Sequence, residues 1–157
     1  MCSCALNFLP KLGIPMPAAR TSKRAMIEKS EWTQRLLIVE DVQETREAIE
    51  KLLKRDGYIV DQAKDEAEAA EKARRNSPDL ILVSLAGTPY DVLSVAQRIR
   101  LNGGLTQKTP IVIFSLRVVP EGAEEELSEN IYVTVPDNFN QLRALLARIL
   151  RSTSNTH

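Results

Sequence analysis

Two adjacent carboxylates and two isolated hydroxyls are the residues of this chain best placed to do chemistry. Glu40 and Asp41 close the apolar run LLIV, Ser84 closes LILV and Ser115 closes IVIF, while IYV passes into Thr134, Val135 and Pro136. Paired carboxylates can ligate a hard divalent cation, and a serine hydroxyl attacks well only after a nearby base takes its proton. The single histidine, His157, ends the chain, so Glu40 or Asp41 would have to be that base. Mg²⁺ wants about six oxygen ligands, which leaves two carboxylates on one loop a weak site. Without a third acid or a cation they repel each other, and one of them is expected to have a raised pKa. A structural reading competes: Ser84 and Ser115 as strand-end hydroxyls bonded to backbone, and Val135 as an ordinary strand residue.

Short apolar runs alternating with amphipathic stretches must position these groups. LLIVE (36–40), YIVDQA (58–63), LILV (80–83), IVIFS (111–115) and IYVTV (131–135) read as strands. Between them, VQETREAIEKLLKRDG carries Ile49, Leu52 and Leu53 on one helical face, with Gly57 suited to a C-terminal cap. DEAEAAEKARRN gives a helix with a small inner face of Ala67, Ala70 and Ala73, and DVLSVAQRIRLNGG one with Val92, Val95, Ala96 and Ile99 inward. EGAEEELSEN (121–130) reads as a short, acidic and weakly amphipathic fourth helix, and NQLRALLARILRS as a last helix presenting Leu142, Leu145, Leu146 and Ile149. Five β-α units in series imply an α/β fold, a doubly wound parallel sheet covered on both faces, because right-handed crossovers place the helices there. Such a sheet gathers its functional groups at the carboxyl ends of its strands, where Glu40, Asp41, Ser84 and Ser115 fall.

Composition bounds the function. The 157 residues hold 21 Lys plus Arg against 21 Asp plus Glu, so no overall field draws the chain to nucleic acid or to an acidic membrane, and protein is the expected partner. No apolar run is long enough to span a bilayer, which takes about 18 residues or more. Cys2 and Cys4 are the only cysteines; two thiols cannot fill a tetrahedral metal site, and they form no disulfide framework. The opening MCSCALNFLPKLGIPMP lacks a positive start and is broken by Pro10, Pro15 and Pro17, which makes it a poor signal peptide and points to the cytoplasm. Residues 1–33 are read as a flexible, mildly basic extension, residues 34–151 as one domain and 152–157 as a tail. An enzyme or electron carrier of flavodoxin-like architecture lacks support, since no glycine-rich phosphate loop and no G-x-S-x-G elbow is present.

The stretches LLIVED, GYIVDQAKD, PDLILVSL, TPIVIFS and IYVTVPD, in this order and spacing, resemble the receiver domain of bacterial two-component response regulators over about residues 34–151. The resemblance implies a five-stranded sheet of order 2-1-3-4-5 with five helices, and a phosphorylation switch. In that family an Asp ending the third strand accepts a phosphoryl group from a histidine kinase, and that Asp and an acidic pair after the first strand hold Mg²⁺. A Ser or Thr after the fourth strand bonds the phosphoryl oxygen, and a Lys before a Pro in the fifth supplies positive charge. Here Glu40 and Asp41 keep the acidic pair and Ser115 keeps the hydroxyl. Ser84 takes the acceptor position, however, and Val135, before Pro136, takes the lysine position. The loop after the third strand departs as well: Gly87 and Thr88 replace Met-Pro, Pro89 falls one place late, Asp91 fits, and Val92 replaces a Gly.

An acceptor and its counter-charge are thus absent, and the expectation is a stand-alone receiver-like module that acts by binding protein, a histidine kinase or an output protein, with Mg²⁺ binding weak or absent. A regulated receiver, phosphorylated at Ser84 or at a neighbour such as Asp91, or answering to a ligand in that pocket, is the alternative. In the family, the surface of the fourth helix, fifth strand and fifth helix commonly carries dimer contacts. Here it would set Glu124, Glu125, Glu126 and Glu129 beside Arg143, Arg148 and Arg151, a basis for homodimer pairing, although a solvated helix face accounts for the same charges.

Overall fold

A computed structural model describes residues 33–86, 88–114, 119–135 and 138–155. The extension expected over residues 1–33 lies outside them, apart from Thr33. The strands are β1 (Arg35–Glu40), β2 (Ile59–Ala63), β3 (Leu80–Ser84), β4 (Ile111–Phe114), β5 (Glu124–Ser128) and β6 (Ile131–Thr134). The helices are α1 (Gln43–Arg55), α2 (Glu66–Asn76), α3 (Pro89–Asn102) and α4 (Phe139–Ser154).

The strands form one sheet of order β2-β1-β3-β4-β6-β5. Five of them run parallel in the expected 2-1-3-4-5 arrangement, with β6 as the fifth. Alternating side chains feed two separate cores. Leu37, Val39, Ile81, Val83, Ile111 and Ile113 point to the layer of α2 and α3, while Leu36, Ile38, Leu80, Leu82 and Val112 point to the layer of α1 and α4. Central strands apolar on both sides follow from this double cover. On α4, Leu142, Leu145, Leu146, Ile149 and Leu150 are all buried, each contributing ~1.5–3 kcal/mol of transfer free energy at most.

The α2 face is turned slightly from the one the spacing predicts: Ala69, Ala70 and Ala73 are buried and Ala67 is exposed. Its alanines let α2 lie close to the end of α3, where a Cβ at Gly103 would come within 2.9 Å of the Ala73 Cβ. The cap at Gly57 is as expected, with φ +98°. The final helix runs on to Ser154, and the Ser152, Thr153 and Ser154 hydroxyls donate to carbonyls four residues back.

One expected element is overturned. The stretch read as a fourth helix is strand β5, paired antiparallel to β6 at the sheet edge, so four helices, not five, flank the sheet among the described residues. Glu121, Glu125 and Glu129 would repel at i,i+4 spacing on a helix, and only Ala123 and Leu127 could give that helix an apolar face. As a strand the segment gains ladder bonds to β6, with Leu127 and Ala123 packed against the α2/α3 core.

The hairpin is tied at both ends. At its turn Asn130 adopts φ +58°, a conformation that asparagine tolerates because its short amide can bond locally. Its Nδ2 donates to the carbonyls of Gln107 (3.0 Å) and Lys108 (2.9 Å). Arg100 donates to the carbonyls of Glu129, Thr109 and Asn130 at 3.0, 3.0 and 3.2 Å. At the opposite end the Thr134 hydroxyl donates to the Ala123 carbonyl (3.1 Å) and the Gly122 N–H to the Val135 carbonyl (2.8 Å).

Candidate functional site at the carboxyl ends of β1 and β3

Parallel pairing brings the first two candidate residues together. Glu40 ends β1 and stands in register with Ser84, which ends β3. Glu40 is 4% exposed, Asp41 is exposed and Ser84 is half-buried. The Glu40 carboxylate accepts from the Val42 N–H at 3.0 Å and stands beside Ser84 on the neighbouring strand. Burial, the largest influence, raises its pKa above the ordinary carboxylate value, and the neighbouring Asp41 adds to the rise. The Val42 N–H and the neighbouring Ser84 hydroxyl offset part of it. The expectation that one acid of the pair is raised falls on Glu40.

Arg46 belongs to no motif of the sequence yet contacts this junction. From α1 it donates Nη1 to the Glu40 backbone carbonyl (2.7 Å) and Nε to the Gln62 side chain (3.1 Å). It therefore fixes the β1-α1 junction through the main chain, and no cation figures among the influences on the Glu40 carboxylate. Its position one turn into the helix that follows the acidic pair was the available signal.

Val135 is 7% exposed and belongs to the cluster of Val83, Ile113, Val119 and Val133. An aliphatic side chain thus occupies the position that the resemblance assigns to a lysine. Ser115 and Pro136 lie outside the described residues. Asp91 is committed elsewhere: with Thr88 it forms a capping box at the start of α3, its carboxylate accepting from the Thr88 N–H (3.3 Å) and hydroxyl, which holds its pKa low.

The donor set falls short of what Mg²⁺ uses. Two carboxylates from one loop, one of them buried with its pKa raised by that burial, face a neutral hydroxyl. No cluster of three His, Cys, Asp or Glu side chains able to hold a metal occurs among the described residues.

The glutamates expected on a fourth helix lie on β5 and its turn, and the arginines of that surface lie on α4. Its arginines are partly engaged within the chain, Arg148 with Glu124 and Arg143 with Asp56 at 2.6 Å. No described helix is long and apolar enough to cross a membrane.

Residues 36–151 match the response regulator receiver domain family. The response regulator MprA of Mycobacterium sp. (strain KMS) is 29% identical over 122 residues, covering 76% of this chain and 52% of that protein. The chain spans about half the length of the curated relatives it matches. Among solved structures, the N-terminal domain of a response regulator/sensory box/GGDEF 3-domain protein from Carboxydothermus hydrogenoformans superposes with a TM-score of 0.59 at 26% identity, over 79% of this chain and all of that one. The receiver domain of a sensor histidine kinase from Pseudomonas aeruginosa gives 0.58 at 25% identity, over 75% of this chain and 98% of that one; that structure has a magnesium ion coordinated in its active-site cleft.

Proposed function

The chain belongs to the response regulator receiver family, and on that premise we propose that it is a cytoplasmic signalling module of a phosphorelay-type system that works by binding protein, without phosphoryl transfer at the usual position. The observation that carries this reading is the pair at the ends of β1 and β3, where a neutral hydroxyl beside a buried carboxylate stands where the family has an ionised acceptor. A carboxylate is nucleophile and metal ligand together at neutral pH, whereas Ser84 would first have to give up its proton. Mg²⁺ binding is correspondingly weak or absent. A histidine kinase or an output protein is the partner class, as for response regulators in general. A homodimer would have to form with strand β5 in place of the helix expected over residues 121–130.

The adjacency of Ser84 and Glu40 in the β1/β3 register favours a second reading, since a hydroxyl activated by a base needs that base beside it. In that case Ser84 Oγ would attack the phosphorus of acetyl phosphate, its proton would pass to Glu40, and acetate would leave. Incubation with acetyl phosphate and Mg²⁺ followed by intact mass separates the two readings. An unchanged mass is expected; stoichiometric addition of one phosphoryl group, lost in Ser84→Ala, would overturn the first reading.

A further inference from the structure

We propose that the outer edge of β5 is a docking site for an extended, basic segment of a partner protein, which adds to the sheet as a further strand. Among the described residues β5 is the last strand in the order and pairs with β6 alone, so alternate residues direct backbone N–H and C=O groups away from the sheet, where another chain can pair with them. Tertiary bonds hold the strand in place before any partner arrives: the Arg100 and Asn130 contacts at its turn and the Ala123 and Gly122 contacts at its start. Such preorganisation lowers the ordering cost that strand addition otherwise carries.

Charge selects the occupant. Between residues 118 and 142 there is no Lys or Arg, while Glu121, Glu124, Glu125, Glu126 and Glu129 crowd the edge. Glu124 pairs with Arg148 and Glu126 accepts from the Asn130 N–H; Glu121 and Glu125 are exposed. Two copies meeting edge to edge would set glutamate against glutamate, which destabilises cross-strand pairing, whereas Lys or Arg side chains on an added strand reverse the sign. Beside the strand, a cavity of about 180 Å³ lined by Glu124, Thr134, Gln141, Leu145 and Arg148 offers room for one apolar side chain of that segment, with Leu145 as wall and the Glu124–Arg148 ion pair at its rim.

The inference rests on the reading that this chain acts by binding protein, and it specifies the partner's chemistry. The acetyl phosphate assay probes only the Ser84 pocket and the experiment below only the edge, so each can fail alone. The ¹⁵N-labelled full chain is titrated with a synthetic peptide of four Lys-Val repeats and, separately, with its fully N-methylated form, which keeps the charge but has no backbone donors. The first peptide is expected to shift the amides of residues 124–128 and slow their hydrogen exchange; Glu125→Lys, an exposed site whose fold the same spectrum verifies, should weaken binding at least tenfold, a loss of about 1.4 kcal/mol. Equal binding of both peptides would reduce the effect to undirected charge attraction and overturn the proposal. Absence of shifts at 124–128 with a peptide concentration of about 1 mM, the range of the weakest specific contacts, would also overturn it and leave the glutamates as guards against edge pairing.

Discussion

Replacing Asn130 tests whether the hairpin is held by the contacts just described. Asn130→Gly keeps the left-handed backbone and removes the two Nδ2 bonds to Gln107 and Lys108. Each such bond contributes ~0.5–1.5 kcal/mol. Both acceptor residues are exposed, so water replaces the donor and the low end applies, giving about 1 kcal/mol for the pair. Asn130→Ala loses the same bonds and also places a Cβ-bearing residue at φ +58°, adding ~1 kcal/mol for a total of about 2 kcal/mol. With a urea slope of ~2 kcal/mol/M, the midpoint should fall by about 0.5 M for Gly and about 1 M for Ala. Hydrogen exchange should show the loss concentrated in residues 124–134. If Gly proves as damaging as Ala, backbone conformation is not what asparagine supplies. If neither variant moves the midpoint, the clamp contributes nothing.

Other substitutions address the pocket. Glu40→Gln should raise stability at neutral pH. Because burial raises the folded-state pKa of Glu40 above its unfolded value, the native state binds the extra proton, and the carboxyl's contribution is full below the unfolded pKa and lost as pH rises through the folded one. Urea midpoints measured from acid to neutral pH should therefore fall through that window in the parent relative to the Gln variant, and parallel curves would contradict the assignment. Ser84→Asp adds a third carboxylate beside Glu40 and should tighten Mg²⁺ binding by about tenfold or more, read by calorimetry, since hard cations draw on carboxylate oxygens; unchanged affinity would mean that the acidic pair is not arranged to share a metal. Val135→Lys should cost about 3 kcal/mol by placing an unpaired charge in the apolar cluster of Val83, Ile113 and Val119; a midpoint unmoved in urea would show that the lysine head reaches solvent or the acidic pair.

The parallel sheet and its helices α1, α2, α3 and α4 were legible because each rests on local periodicity: runs such as LLIV and LILV need burial on both faces, and Leu142, Leu145, Leu146 and Ile149 recur at helical spacing. The strand order came instead from the resemblance to receiver domains. The membership of Glu40, Asp41 and Ser84 in one site was equally legible, since parallel strands bring their carboxyl ends to one side of the sheet. The residue types were legible too: a serine at the position where the resemblance expects a carboxylate and a valine where it expects a lysine.

Tertiary structure decided the rest. Glutamate-rich EEELS has the composition of a helix, and its choice of strand depends on β6 offering a ladder and on Arg100 and Asn130 fastening the turn, contacts that join residues 22 to 30 positions apart. Likewise the raised pKa of Glu40 comes chiefly from burial, and the role of Arg46 from its reach to a main-chain carbonyl. Periodicity reports how a segment meets its nearest neighbours along the chain; desolvation and long-range backbone pairing depend on what the rest of the fold places beside it.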